Sequence, residues 1–392
     1  MKTVEQALEI LKNYAKNKQE IETVDIQFCL GRVIAKDICS TVNIPPYDNS
    51  AMDGFAINHH IGQAEVEISQ RIPAGTSPKP LKENTAARIF TGAFIPQGAD
   101  CVVIQEQCEI KDNKVDIFAK AVIGQNIRKQ GEDVQIGDIV LKKGQKIRPQ
   151  DMGMLASIGI NKIAVYKKIT VAFFSTGDEL IEPGNELTKG KIYNSNRWTL
   201  LGLLQTMNIN ILDLGIIKDD FQSTKNALET ASKKADIIIS TGGVSVGEED
   251  YVKSALENLG ELMMYKVKMK PGKPFTLGLI DSSYFLGLPG NPVSAFTVFN
   301  LFARPFITQC MGSNYQIQTQ EVITNFAWNR KGERREYARA KLINGKAEIY
   351  HSQSSGVLSS TIWADGLVII MEESIIKKGD KITFIPFNQW GC

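Results

Sequence analysis

Four times within residues 169–292 a short apolar run gives way to a turn of glycine, hydroxyl and acidic residues. This rhythm constrains the fold more than any other feature of the chain. The runs are Ile169-Thr-Val-Ala-Phe-Phe, Ile211-Leu-Asp-Leu-Gly-Ile-Ile, Ala235-Asp-Ile-Ile-Ile-Ser and Tyr284-Phe-Leu-Gly-Leu. Unbroken β-branched and aromatic stretches of this length are the mark of strands buried on both faces. Helical spacing fills the intervals, from Ser195 to Met207 and from Phe221 to Lys234, and a further helix is expected after Glu248. The β-α-β-α-β order predicts a mostly parallel sheet with helices on both sides. The turns after the runs carry Asp178 and Glu179, Asp219 and Asp220, Gly242, Gly243 and Ser245 to Asp250, and Pro289, Asn291 and Pro292. In an open parallel sheet the C-terminal strand ends share one edge, and ligands bind there.

The chemistry written at that edge is mixed. Thr241-Gly-Gly-Val-Ser-Val-Gly allows close backbone approach to a ligand, but Glu248, Glu249 and Asp250 would repel a bare phosphate. A divalent cation between carboxylate and phosphate reconciles the two, and helix capping by the acids is the plainer alternative. In Tyr265-Lys-Val-Lys-Met-Lys270, strand alternation puts Lys266, Lys268 and Lys270 on one side, and Pro271-Gly-Lys-Pro274 adds Lys273. Edge-strand protection would explain one lysine. Four in eight residues point to a polyanionic ligand.

Around this centre the chain is modular, as 392 residues exceed a single core. Thr3 caps a first helix from Val4 to Tyr14 with Val4, Ala7, Leu8 and Leu11 inward. Residues 1–45 and 142–168 are expected to form a linker domain, and 46–141 an inserted β-rich lobe. Its strands are expected at Glu65, Ala87, Cys101, Val115 and Ile139. Loops beginning at Arg71, Thr91 and Asn126 carry unusual polar residues, and Pro46-Tyr-Asp-Asn-Ser-Ala-Met-Asp-Gly-Phe-Ala opens the lobe. Residues 169–315 form the α/β domain, whose last helix is expected to end after Arg304-Pro305. Residues 316–392 form a C-terminal β domain. In that domain Arg335, Tyr337, Arg339 and Lys341 alternate onto one face, and the hydroxyl-rich stretch from His351 to Ser360 reads either as a site for a small oxyanion or as a solvated loop.

The net charge of +2 gives no general argument for nucleic acid or membrane. No apolar run reaches the ~18 residues of a membrane helix, and the N-terminus lacks the apolar core of a signal peptide. Six unpatterned cysteines suggest free thiols in a reducing cytoplasm. Only three histidines are present, which makes histidine-centred nucleophilic chemistry hard to build. The His59-His60 pair reads as exposed, without a metal.

Taken in order, seven segments resemble the molybdopterin molybdenumtransferases, the enzyme family that includes the gephyrin E domain. They are Pro46 to Ala56, Thr91-Gly-Ala, Gly131-Glu-Asp133, Ser175-Thr-Gly-Asp-Glu-Leu180, Gly242 to Tyr251, Met269-Lys-Pro-Gly-Lys-Pro274 and Leu288-Pro-Gly-Asn-Pro-Val-Ser294. The resemblance implies four subdomains and an activity that inserts molybdate into adenylylated molybdopterin with release of AMP. It also implies a divalent cation, Mg²⁺, and an elongated homodimer in which one subunit's β-lobe faces the other's site, with the molybdopterin adenylyltransferase as a further partner. It assigns catalytic roles to Asp53, Thr91, Asp133, Glu179 and Asp250. Substrate binding falls to Gly242, Gly243, Ser245, Lys266, Lys270, Lys273, Pro289, Asn291, Pro292, Arg339 and Ser359. Metal binding falls to Asp250 and Glu179 with Asp219 or Asp220. A pterin or nucleotide adenylate hydrolase on the same fold, and a non-enzymatic scaffold, stay open beside it.

Overall fold

A computed structural model describes residues 1–243 and 251–391. The α/β domain holds a six-stranded sheet in the order Asn210–Ile217, Thr170–Thr176, Ile237–Thr241, Ser283–Leu288, Thr276–Ile280, Glu261–Tyr265. The first four strands are parallel, as the rhythm of the sequence requires. Thr276–Ile280 is antiparallel to both neighbours. Glu261–Tyr265 therefore runs the same way as the parallel four and ends on the same edge. Alternation along the strands feeds two cores. Val171, Phe173, Ile237 and Ile239 pack with Leu200, Leu203 and Phe299, whereas Ala172, Phe174 and Ile238 pack with Leu228, Val252 and Leu256.

Thr3 starts the first helix with a full capping box to Gln6, and Val4, Ala7 and Leu11 are buried. The expected break at Arg304-Pro305 does not occur. Pro292–Val298 passes through a π-helical segment, Phe299–Ala303, into Arg304–Cys310. Wider π turns interrupt the usual ladder, so Pro305 falls in a new first turn where its missing N–H costs little.

The β-lobe sheet comprises Gly54–Ile57, Glu65–Ile72, Thr85–Ile89, Cys101–Ile104, Cys108–Lys111 and Lys114–Ile117. Ile139–Leu141, expected within it, pairs instead with Ile38–Cys39 of the linker segment. Ile21–Asp25 and Lys162–Tyr166, strands not foreseen, pair there as well. Gly54 must be glycine: a Cβ there would lie 1.9 Å from the Val103 carbonyl oxygen. In the C-terminal domain Gln320–Thr324, Arg335–Ile343, Lys346–Ile349, Gly366–Ile370 and Lys381–Pro386 close into a five-stranded barrel. Met269–Lys270 adds to its edge beside Arg335–Ile343. The five described cysteines, Cys29, Cys39, Cys101, Cys108 and Cys310, are free thiols.

Candidate active site

The edge of the α/β sheet is assembled by side chains that tie the strand-end turns together. Ser175 Oγ lies 2.9 Å from Thr241 Oγ1, and the Gly242 amide donates to the Leu288 carbonyl at 3.3 Å. Gly242 and Gly243 have φ of +89° and +63°. A Cβ at Gly242 would meet the Thr176 carbonyl oxygen at 2.6 Å, and one at Gly243 would meet Val252 Cγ2 at 2.3 Å. Both close approach and left-handed backbone thus demand glycine here. Ser245 and Asp250, together with Glu248 and Glu249, lie outside the described residues.

Residues that sequence reasoning passed over complete this edge. Asn194, 1 % exposed, accepts from Ser175 Oγ and caps the helix Ser195–Gln205 through the Arg197 amide. Asn196 Nδ2 donates to the Gly290 carbonyl at 2.7 Å and so fixes the Pro289–Pro292 turn. Arg197 bridges Glu182 and Asp213, each at 2.9 Å. The run Tyr193-Asn-Ser-Asn-Arg does carry a helix-cap signature. Asn291 occupies the N-cap position of Pro292–Val298 but makes no side-chain capping bond. The Val293 amide instead donates to the carbonyl of Ser355 in the C-terminal domain.

The two aspartates after Asn210–Ile217 differ. Asp220 is a helix cap, its carboxylate taken by the Ser223 amide at 2.8 Å and the Ser223 hydroxyl at 2.9 Å. The Asp219 amide lies 3.4 Å from Asp178 Oδ1. Glu179 is exposed, its carboxylate turned back over Gly177. Among the described residues no three His, Cys, Asp or Glu side chains gather to hold a metal.

The lysine segment is not one continuous strand. Glu261–Tyr265 ends before Lys266, whose φ of +67° turns the chain out of the sheet. The alternation survives the break: Val267 and Met269 are fully buried, and Lys266, Lys268 and Lys270 are partly exposed. Lys266 stacks its ammonium on Tyr265, 4.5 Å from the ring centre. Lys270 pairs with Glu336 at 3.2 Å, and Lys273 is exposed. Lys273 lies three residues before the strand Thr276–Ile280, where Thr276 is in register with Gly287 and with Tyr265.

The basic strip expected in the C-terminal domain does not form. Arg335 is engaged by Glu5 and Glu372. Arg339 is 1 % exposed and spends its donors on Ser360 Oγ and the carbonyls of Ser352 and Ser354. Burial pushes its pKa down to about 10, so it stays protonated at neutral pH while structuring the hydroxyl loop. The alternation was right about which way Arg339 points and silent about what covers it. Ser359 is exposed, 3.4 Å from Tyr350 Oη.

A second cluster forms in the β-lobe. Asp53 Oδ1 accepts from both the amide and the hydroxyl of Thr91, each at 2.7 Å. Asp48 holds the neighbouring loop through Lys129 Nζ and the Gln130 amide, each at 2.8 Å. These loops frame a cleft of about 570 Å³ lined by Tyr47, Asn49, Thr76 and Phe94 among others, with Tyr47 and Phe94 rings 4.7 Å apart. Asp133 is exposed, its amide on the Ile44 carbonyl. His59, expected in a free loop, binds Asp100.

Bonds from Thr91, its amide first, hold the Asp53 carboxyl below its ordinary value of 3.8. The sign follows: the contact is at full strength above 3.8 and is lost as pH falls through the lower folded value. Thr91→Val is expected to raise the Asp53 pKa toward 3.8 in an NMR carboxyl titration and to reduce activity about fivefold. An unmoved titration would show that the Thr91 amide, which valine keeps, holds Asp53 without help from the hydroxyl.

Comparison with known proteins agrees with this architecture. Residues 2–159 match the family described as MoeA N-terminal region (domain I and II), and 172–309 match the probable molybdopterin binding domain. Residues 321–387 match the MoeA C-terminal region (domain IV). A molybdopterin molybdenumtransferase from Haemophilus influenzae is 35 % identical, with 99 % of each chain covered. One from Nostoc is 33 % identical over 93 % of this chain and 88 % of its own. The crystal structure of a molybdopterin biosynthesis MoeA protein from Pyrococcus horikoshii OT3 superposes with a TM-score of 0.87 at 30 % identity, covering 98 % of this chain and 100 % of that one. With strand-end turns, lysine segment, β-lobe and closed barrel all in place, this chain belongs to the molybdopterin molybdenumtransferase family and serves molybdenum cofactor biosynthesis.

Proposed function

We propose that the protein inserts molybdate into adenylylated molybdopterin, releasing AMP and forming molybdenum cofactor. The observation that carries this reading is topological. Glu261–Tyr265 ends on the same sheet edge as Ile237–Thr241 and Ser283–Leu288, and the segment carrying Lys266, Lys270 and Lys273 leaves the sheet from that edge. A phosphate-bearing pterin laid along this edge meets ammonium groups on one side and close-approaching backbone on the other. Mg²⁺ would be held by Asp250 with Glu179 or Asp219, and would supply charge neutralisation at the pyrophosphate. Asp53, Thr91 and Asp133 belong to a separate lobe whose hydrogen bonds stay within itself and the linker strands. That separation supports a homodimer in which one subunit's lobe completes its partner's edge. Delivery by the molybdopterin adenylyltransferase and a cytoplasmic setting complete the proposal. No helix among the described residues is long and apolar enough to cross a membrane.

The deciding experiment mixes the protein with adenylylated molybdopterin, with and without molybdate. AMP release that requires molybdate is the expected result. Release without molybdate would identify a hydrolase, and binding without release a scaffold. Lys270→Ala is expected to weaken substrate binding up to about fivefold, the range of one exposed ion pair, and the loss should shrink at high salt. Calorimetry showing equal affinity at every salt concentration would count against a polyanion at this edge.

A further inference from the structure

The barrel brings one acidic side chain to the lysine edge. Met269–Lys270 pairs in parallel with Arg335–Ile343, with Lys270 in register with Glu336. Neighbours in register on adjacent strands point to the same face, and Glu336 Oε1 lies 3.2 Å from Lys270 Nζ. The two partners are unequal: the Glu336 side chain is 11 % exposed and that of Lys270 39 %. Lys270 can thus reach outward to a ligand, but Glu336 cannot follow it into water. Arg335, its neighbour on the opposite face, is occupied by Glu5 and Glu372, and Arg339 by the hydroxyl loop. Arg339 feels the Glu336 charge but makes its hydrogen bonds to the hydroxyl loop, so among the described residues Lys270 is the ion-pair partner of Glu336.

We infer that Glu336 is a specificity-determining residue of the substrate edge: the C-terminal barrel presents a mostly buried carboxylate that competes with an incoming phosphate for Lys270. An anion drawing Lys270 away leaves a poorly hydrated carboxylate behind, which is costly. An anion sharing the ammonium still feels the repulsion of Glu336. Singly charged ligands gain too little from one lysine to overcome either effect. A ligand that also engages Lys266 and Lys273 does overcome it. The barrel in this way raises the charge a ligand must carry before it is held.

The inference rests on the lysine edge being the phosphate site, and a double-mutant cycle separates the two claims. Inorganic pyrophosphate and inorganic phosphate are titrated calorimetrically into the full chain without added divalent metal. The proteins compared are wild type, Glu336→Gln, Lys270→Ala and the double variant, each checked for an unchanged thermal transition. Glu336→Gln keeps an oxygen acceptor for Lys270 while removing the charge. It is expected to tighten both anions about two- to fivefold, phosphate proportionally more, with the gain fading at high salt. In the Lys270→Ala background the gain should be much smaller. Unchanged or weaker binding in Glu336→Gln, with Lys270→Ala still weakening it, would overturn the role of Glu336 alone. Equal gains with and without Lys270 would also overturn it, because the effect would then be general charge. Pyrophosphate binding that ignores Lys270 altogether would overturn the reading of the edge itself.

Discussion

Gly242→Ala is expected to lower the rate of AMP release about 100-fold. The φ of +89° at Gly242 is left-handed territory, which costs a residue with a Cβ about 1–2 kcal/mol. The added methyl would lie 2.6 Å from the Thr176 carbonyl oxygen, a backbone atom of the adjacent central strand that has no rotamer by which to retreat. The glycine turn must move instead, and with it the amide that donates to Leu288. Displacing a substrate-positioning turn by about 1 Å is enough for a rate loss of about two orders of magnitude. The fold should survive, because Ile237, Ile238 and Ile239 below the turn keep their packing. Stopped assays with the purified variant, alongside a thermal melt, check both halves. A variant of normal rate would show that the turn does not touch the substrate.

Arg339→Met has its effect first on stability. The side chain is large, 1 % exposed, and clamps three oxygens: Ser360 Oγ and the carbonyls of Ser352 and Ser354. Methionine fills much of the volume but leaves those acceptors without their charged donor. The expected cost is about 3 kcal/mol, the sum of small charge-assisted terms less the relief of no longer burying a cation. Loosening residues 352–354 also releases Ser355, whose carbonyl holds the Val293 amide at the Pro289–Pro292 turn. Chemical denaturation followed by barrel tryptophans Trp328 and Trp363 measures the first effect, and molybdate-dependent AMP release the second. If stability is unchanged and only molybdate dependence is lost, Arg339 contacts the oxyanion directly, as the family resemblance implies.

The α/β core was legible because its information is local. Apolar runs of the right length, helical spacing after Ser195 and after Phe221, and clustered glycines all announce themselves without a partner chain segment. The parallel order then followed from connectivity, and with it the shared edge. The lysine alternation was legible for the same reason, since Val267 and Met269 needed burial whatever the backbone did around Lys266. Less visible were features set by two distant segments. Nothing near Ile139 says that its partner is Cys39, and nothing near Pro305 shows that a π-helical segment precedes it.

The chemical character of the edge, with its glycines, carboxylates and ammonium groups after successive strands, was determined by sequence, because residue type and strand order are one-dimensional facts. Which of those groups are already spoken for was decided only by tertiary structure. Asp220 became a cap and Asp219 did not, Arg339 turned inward, and Lys270 met Glu336 across a strand pair separated by 66 residues. The physical reason is that a charged group is defined by its partner and its exposure, and both are fixed by packing between segments that the chain keeps far apart.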